Sequence, residues 1–286
     1  MFCLILDSRL VPTGSTQVAG MTRANHYCYN SPMNKKIIVG NWKTNPSSVD
    51  EAKKLIKIIR RTSLGLNNTE VVICPPFPFI YPCVSSKSET SFHIGAQSAS
   101  IDMEGSHTGE VSAKMLRSIG VEYVIVGHSE QRARGDTDEI VGRKVFNVIE
   151  NGMKAIVCFG EKNRDTENGS HFDYIKEQIK NTFANIPKDF AKNIILAYEP
   201  IWAIGAKEAM VPEQVCEMAI FVKKVFADIF DPKQALKTVV LYGGSVNSIN
   251  AENIVKIGQV DGLLVGRESL NTKGFADLLK AVDMIV

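Results

Sequence analysis

No CxxC pair occurs in this sequence, although it holds six cysteines: Cys3, Cys28, Cys74, Cys83, Cys158 and Cys216. That argues against metal fingers and thioredoxin-type redox sites, and fits a reduced, cytoplasmic compartment. Cys74 and Cys158 lie within apolar runs, where a thiol acts as a small hydrophobe. Excess charge is missing as well. Thirty-three Lys and Arg stand against 31 Asp and Glu, a net +2, too little to draw the chain to nucleic acid or an anionic membrane. Mean hydropathy is −0.03 and no long apolar run occurs, so no membrane-spanning helix is expected. With 21 Gly and 11 Pro in 286 residues, the chain is neither collagenous nor of low complexity. No GxGxxG follows the first apolar run, which disfavours a dinucleotide-binding sheet. What is left is a globular protein with a large core.

Residues 1–33 show no periodicity and many turn-formers, and Phe2–Leu6 is too short for a signal-peptide core. They read as a disordered extension before one domain, residues 34–286. From Lys36 onward a single rhythm takes over. Short apolar runs occur at 36–40, 70–74, 91–97, 121–127, 154–160, 194–199, 237–243 and 260–266. Their apolar residues are consecutive rather than alternating, as in parallel strands covered on both faces. Amphipathic segments separate them at 47–61, 111–119, 136–150, 170–186, 212–230, 248–257 and 273–285. Only Pro75–Ser88 reads as poorly helical. Eight such units in roughly 250 residues predict an α/β fold, a single closed (β/α)8 TIM barrel. A doubly wound open sheet is the alternative.

In such a barrel the active site lies in the loops after the strands. Strand one leads into Asn41-Trp42-Lys43, and strand four into Gly127-His128-Ser129-Glu130. Strand six ends in Glu199-Pro200-Ile201-Trp202-Ala203-Ile204-Gly205, strand seven in Tyr242-Gly243-Gly244-Ser245, and strand eight in Gly266-Arg267. Singly, Lys43 reads as a surface lysine, His128 as a structural histidine and Glu199 as half of a salt bridge. A carboxylate ending an apolar strand is nevertheless costly unless paired or used. The glycines after strands seven and eight let backbone N–H groups approach an anion, the phosphate site of such barrels. Convergence of all these residues is the strong signal.

Together, NWK, GHSE, EPIWAIG and YGGS, in this order across residues 36–280, resemble the triosephosphate isomerase family. The resemblance implies interconversion of D-glyceraldehyde 3-phosphate and dihydroxyacetone phosphate through an enediolate, in glycolysis and gluconeogenesis. No cofactor and no metal are implied. It makes Glu199 the base, His128 the electrophile at the carbonyl and Lys43 the cation that steadies the enediolate, the pairing that this family exemplifies. Asn41, Lys43, Gly205, Ser245, Gly266 and Arg267 become substrate-binding positions, with Glu130 the carboxylate behind them. Gly105–Glu110 matches the loop that inserts into the partner of the family's homodimer. In the family, backbone N–H groups of the lid meet the tyrosine and serine of the YGGS turn, here Tyr242 and Ser245, with Lys207 and Met210 as donors.

Departures from the family pattern spare Glu199, His128 and Lys43, and none removes a group doing chemistry. Lys207 and Met210 stand in a lid, 205–211, that lacks its usual second glycine, and Arg267 replaces the second glycine after strand eight. The stretch Gln131–Asp136 is about a residue short, with Asp for the usual Glu, and Met103 takes the tip of the dimer loop. Two other readings compete. A weakened barrel kept as a binding or surface protein would be expected to lose Glu199, His128 or Lys43. A phosphosugar isomerase or aldolase of another barrel family would need a Schiff-base lysine within a strand, or a metal cluster.

Overall fold

The computed structural model describes residues 35–86, 92–165, 167–206 and 209–285. The expected N-terminal extension, 1–33, lies outside the described residues, as does Lys207. Eight strands run β1 (Lys36–Asn41), β2 (Thr69–Cys74), β3 (His93–Ala96), β4 (Tyr123–Val126), β5 (Lys154–Phe159), β6 (Ile194–Tyr198), β7 (Val239–Tyr242) and β8 (Gly262–Val265). All pair in parallel, and β8 returns to β1 to close the barrel. The predicted TIM barrel is therefore the observed fold.

Helices α1 (Val49–Ser63), α2 (Phe77–Ser85), α3 (Ala113–Ser118), α4 (Ser129–Arg132), α5 (Asp138–Glu150), α6 (Ser170–Phe183), α7 (Pro212–Ile229), α8 (Pro232–Ala235), α9 (Ala251–Ile257) and α10 (Thr272–Asp283) fill the connections. Their starts follow the caps. Ser48 accepts from the Glu51 N–H, Thr137 from Ile140 and Asn271 from Gly274, so α1, α5 and α10 begin just after these residues. None of the helices among the described residues is long and apolar enough to cross a membrane.

Pro75–Ser88 departs from the sequence reading, because residues 77–85 form α2. Pro76 is its N-cap and Pro78 lies in the first turn, where no intrahelical N–H bond is lost. Only Pro82 removes a helical bond, and burial of Ile80 and Cys83 outweighs that loss.

Alternation along each strand divides the core in two. Ile37, Val39, Val72, Cys74, Ile125, Ile156, Cys158, Ile195, Ala197, Leu241 and Leu264 pack together inside the barrel. Their neighbours, among them Ile38, Ile73, Val124, Val157, Leu196 and Val240, pack outward with the helices. The period of two extends the inward row from Ile37 and Val39 to Asn41, and from Ile195 and Ala197 to Glu199. Two polar side chains thus reach the barrel mouth by register alone.

Candidate active site

At the mouth, Glu199 and His128 are in contact. Glu199 Oε1 lies 3.2 Å from His128 Nε2, and both residues are buried. The turn that delivers His128 depends on Gly127 at φ 70, where a Cβ would lie 2.8 Å from Val141 and 3.1 Å from the Cys158 carbonyl. The Glu130 N–H donates to His128 Nδ1 at 3.2 Å, so that nitrogen carries a lone pair and Nε2 faces Glu199. Burial pushes the imidazole pKa down, but the Glu199 charge and hydrogen bond outweigh this, and the net direction is up. The other Glu199 oxygen accepts from the Ser129 N–H at 3.4 Å.

Lys43 completes the set. It holds φ 53, unusual for a residue with a Cβ, and the Asn41 side chain caps its N–H at 3.1 Å. Lys43 Nζ lies 2.6 Å from Glu130 Oε1, which puts the cation beside the histidine turn. Burial raises the Glu130 pKa, and Lys43 more than reverses it, leaving the carboxyl below its ordinary value. A Cβ on Gly266 would sit 3.7 Å from the Lys43 stem, so the β8 turn adjoins the lysine. Asn41, Lys43, His128, Glu130, Glu199 and Gly266 are thus brought to one place.

The lid side is equally specific. Gly205 has φ 72, and the buried Met210 N–H donates to Tyr242 Oη at 3.1 Å. Burial lifts the Tyr242 phenol to about 12, so it stays protonated at neutral pH. Ser245 Oγ lies 2.9 and 2.8 Å from the carbonyls of Ala203 and Ala206, which share its single proton. Arg267 is exposed and has no side-chain partner among the described residues.

Several supporting residues escaped the sequence reading. Gln97, directly after β3, donates to the carbonyls of Lys43 and Cys74, both at 2.9 Å, clamping the β1 loop to β2. Arg132 joins the Gly127 carbonyl (2.8 Å), the Asp138 carboxylate (2.6 Å) and the Cys158 carbonyl (3.3 Å). Cys158 packs in the barrel interior beneath the site. Burial, then the Glu199 carboxylate against it, holds its thiol well above the ordinary pKa. Glu161, after β5, accepts from Tyr198 Oη and Trp202 Nε1, both at 2.9 Å. In the shortened stretch, Asp136 still reaches Lys144 at 2.7 Å. Met103 is half-buried against the core, with Asn151 Nδ2 3.7 Å from its sulfur, and does not form an exposed tip.

A carboxylate, an imidazole and an ammonium ion gathered at the strand ends of a closed barrel are the site of a (β/α)8-barrel protein, and the comparisons with known proteins make its class an isomerase. The sequence model of the family described as triosephosphate isomerase matches residues 36–282. Curated triosephosphate isomerases of Endomicrobium trichonymphae and Aquifex aeolicus are each 37% identical, over 249 and 246 residues. These alignments cover 87% and 86% of this chain, and 99% and 98% of the relatives. That of Alkaliphilus oremlandii is 38% identical over 248 residues, 86% of this chain and 99% of its own. The chain belongs to the triosephosphate isomerase family.

Proposed function

We propose that the site interconverts D-glyceraldehyde 3-phosphate and dihydroxyacetone phosphate, with Glu199 as base, His128 as electrophile and Lys43 as the cation over the enediolate. The contact of Glu199 with His128 at 3.2 Å carries this reading. The Glu199 carboxylate removes a proton from one of two adjacent carbons, and the other carbon receives it. Meanwhile the His128 Nε2 proton serves the oxygen on which charge develops. Asn41 fixes Lys43, and Glu130 steadies that lysine. Gly205, Ser245, Gly266 and the Arg267 backbone grip the phosphate. Closure over the site excludes water, because an exposed enediolate phosphate eliminates phosphate to give methylglyoxal. The partner at this site is a triose phosphate, in glycolysis and gluconeogenesis in the cytoplasm.

A homodimer through Gly105–Glu110 belongs to the same reading. Every residue from Glu104 to Glu110 is exposed in the single chain, and Gly105 and Gly109 shape its turns at positive φ, which leaves the loop free to meet a partner. A coupled assay on glyceraldehyde 3-phosphate, run beside His128→Gln, tests the function. Turnover by the wild type and its loss in the variant are expected, and a wild type without isomerase activity contradicts the proposal.

A further inference from the structure

Arg164 stands in the loop after β5, outside every motif that carries the reaction. Its guanidinium is almost fully buried, with the side chain 9% exposed, and its Nε has no hydrogen-bond partner among the described residues. Burying an incompletely bonded guanidinium is costly, and an apolar side chain of similar size does better where only packing is at stake. The charge therefore needs a use. Nη2 meets Glu217 of α7 at 2.9 Å. Nη1 donates to Tyr198 Oη at 3.5 Å and lies 4.0 Å from Glu161 Oε1.

Glu161 is the residue that holds the first hinge of the lid. Its backbone carbonyl accepts from the Ile201 N–H at 2.9 Å, and its carboxylate from Trp202 Nε1 at 2.9 Å. That carboxylate is only 2% exposed. Arg164 is its one cationic partner within 4.0 Å among the described residues. By donating to Tyr198 Oη, Arg164 also turns the phenol hydrogen away from itself and toward Glu161. One guanidinium thus compensates the buried charge, orients its second donor and ties both to α7.

We propose that Arg164 is a positioning residue for the lid, acting through Glu161 to keep Trp202 docked while the substrate is enclosed. The proposal rests on the function above. Its test compares wild type, Arg164→Met, Arg164→Lys and Glu217→Gln. Two signals are read: methylglyoxal formed per isomerisation, and the Trp202 emission change on saturation with glycerol 3-phosphate, which binds like substrate but lacks the acidic C–H. Trp202→Phe supplies the blank. In Arg164→Met the methylglyoxal fraction rises and kcat falls, each about tenfold, as for a loosened hinge. The emission change is lost. Arg164→Lys recovers most of both signals, and Glu217→Gln falls between. A variant Arg164→Met with wild-type by-product fraction and emission change overturns the proposal, even if less stable, because the residue would then be structural only. An inactive wild type defeats the functional reading alone, since the emission signal requires only binding.

Discussion

Tyr242→Phe isolates the second hinge of the lid. The Met210 N–H is buried and its partner is Tyr242 Oη at 3.1 Å, a bond that holds this end of the lid down. Phenylalanine keeps the ring and its packing but leaves that N–H without an acceptor, at a cost of about 1–3 kcal/mol. An open lid exposes the N–H to water, so the whole penalty falls on the closed form. At about 1.4 kcal/mol per decade, the closed-to-open ratio drops by about 5–150-fold. By-product per isomerisation follows the open-to-closed ratio and rises by that factor, whereas kcat follows the closed fraction and falls by less. Methylglyoxal per turnover therefore rises more steeply than kcat falls. The assay measures both on dihydroxyacetone phosphate, with circular dichroism to check folding. Adding Ser245→Ala, which removes the bonds to Ala203 and Ala206, deepens the effect. A double variant with normal turnover and no extra methylglyoxal refutes the latch.

Three further outcomes are expected. Arg267→Gly leaves KM within about twofold, because the exposed guanidinium has no partner among the described residues; a tenfold rise, about 1.4 kcal/mol, would establish a direct phosphate grip. His128 is stabilised as the cation in the folded state, so its contribution to stability is full below its unfolded pKa of about 6.5 and disappears as pH rises through the higher folded value. The melting temperature of wild type minus that of His128→Gln should accordingly be greater at pH 6 than at pH 9, and a gap that grows with pH contradicts the pairing. Lys144→Met leaves the largely covered Asp136 carboxylate without the lysine 2.7 Å away and should cost up to about 3 kcal/mol in urea unfolding, most of it recovered by adding Asp136→Leu.

The barrel was legible because its strands are buried on both faces, so their apolar runs are unbroken and regularly spaced. Register carries Asn41 and Glu199 to the mouth for the same reason, while Lys43 and His128 follow in the turns directly after their strands. Periodicity failed at α2, where Pro76, Pro78 and Pro82 hide a helix that tertiary burial sustains. It also carries nothing about pairings distant in sequence. Gln97 lies 54 residues from Lys43, and Trp202 lies 41 from Glu161. Only the closed sheet brings their loops together. A single glutamine or glutamate after a strand gives no sign of the carbonyl or indole it meets.

Proton transfer by Glu199 is best measured with Glu199→Gln in deuterated water, following both the isomerisation rate and deuterium at the carbon that receives the proton. The wild type is expected to isomerise and incorporate solvent deuterium. The variant, equal in shape but without the base, should fold normally and lose at least ~10²–10⁴-fold in rate together with the label. A Glu199→Gln enzyme that isomerises within a few-fold of wild type and still incorporates deuterium contradicts the assignment of the base.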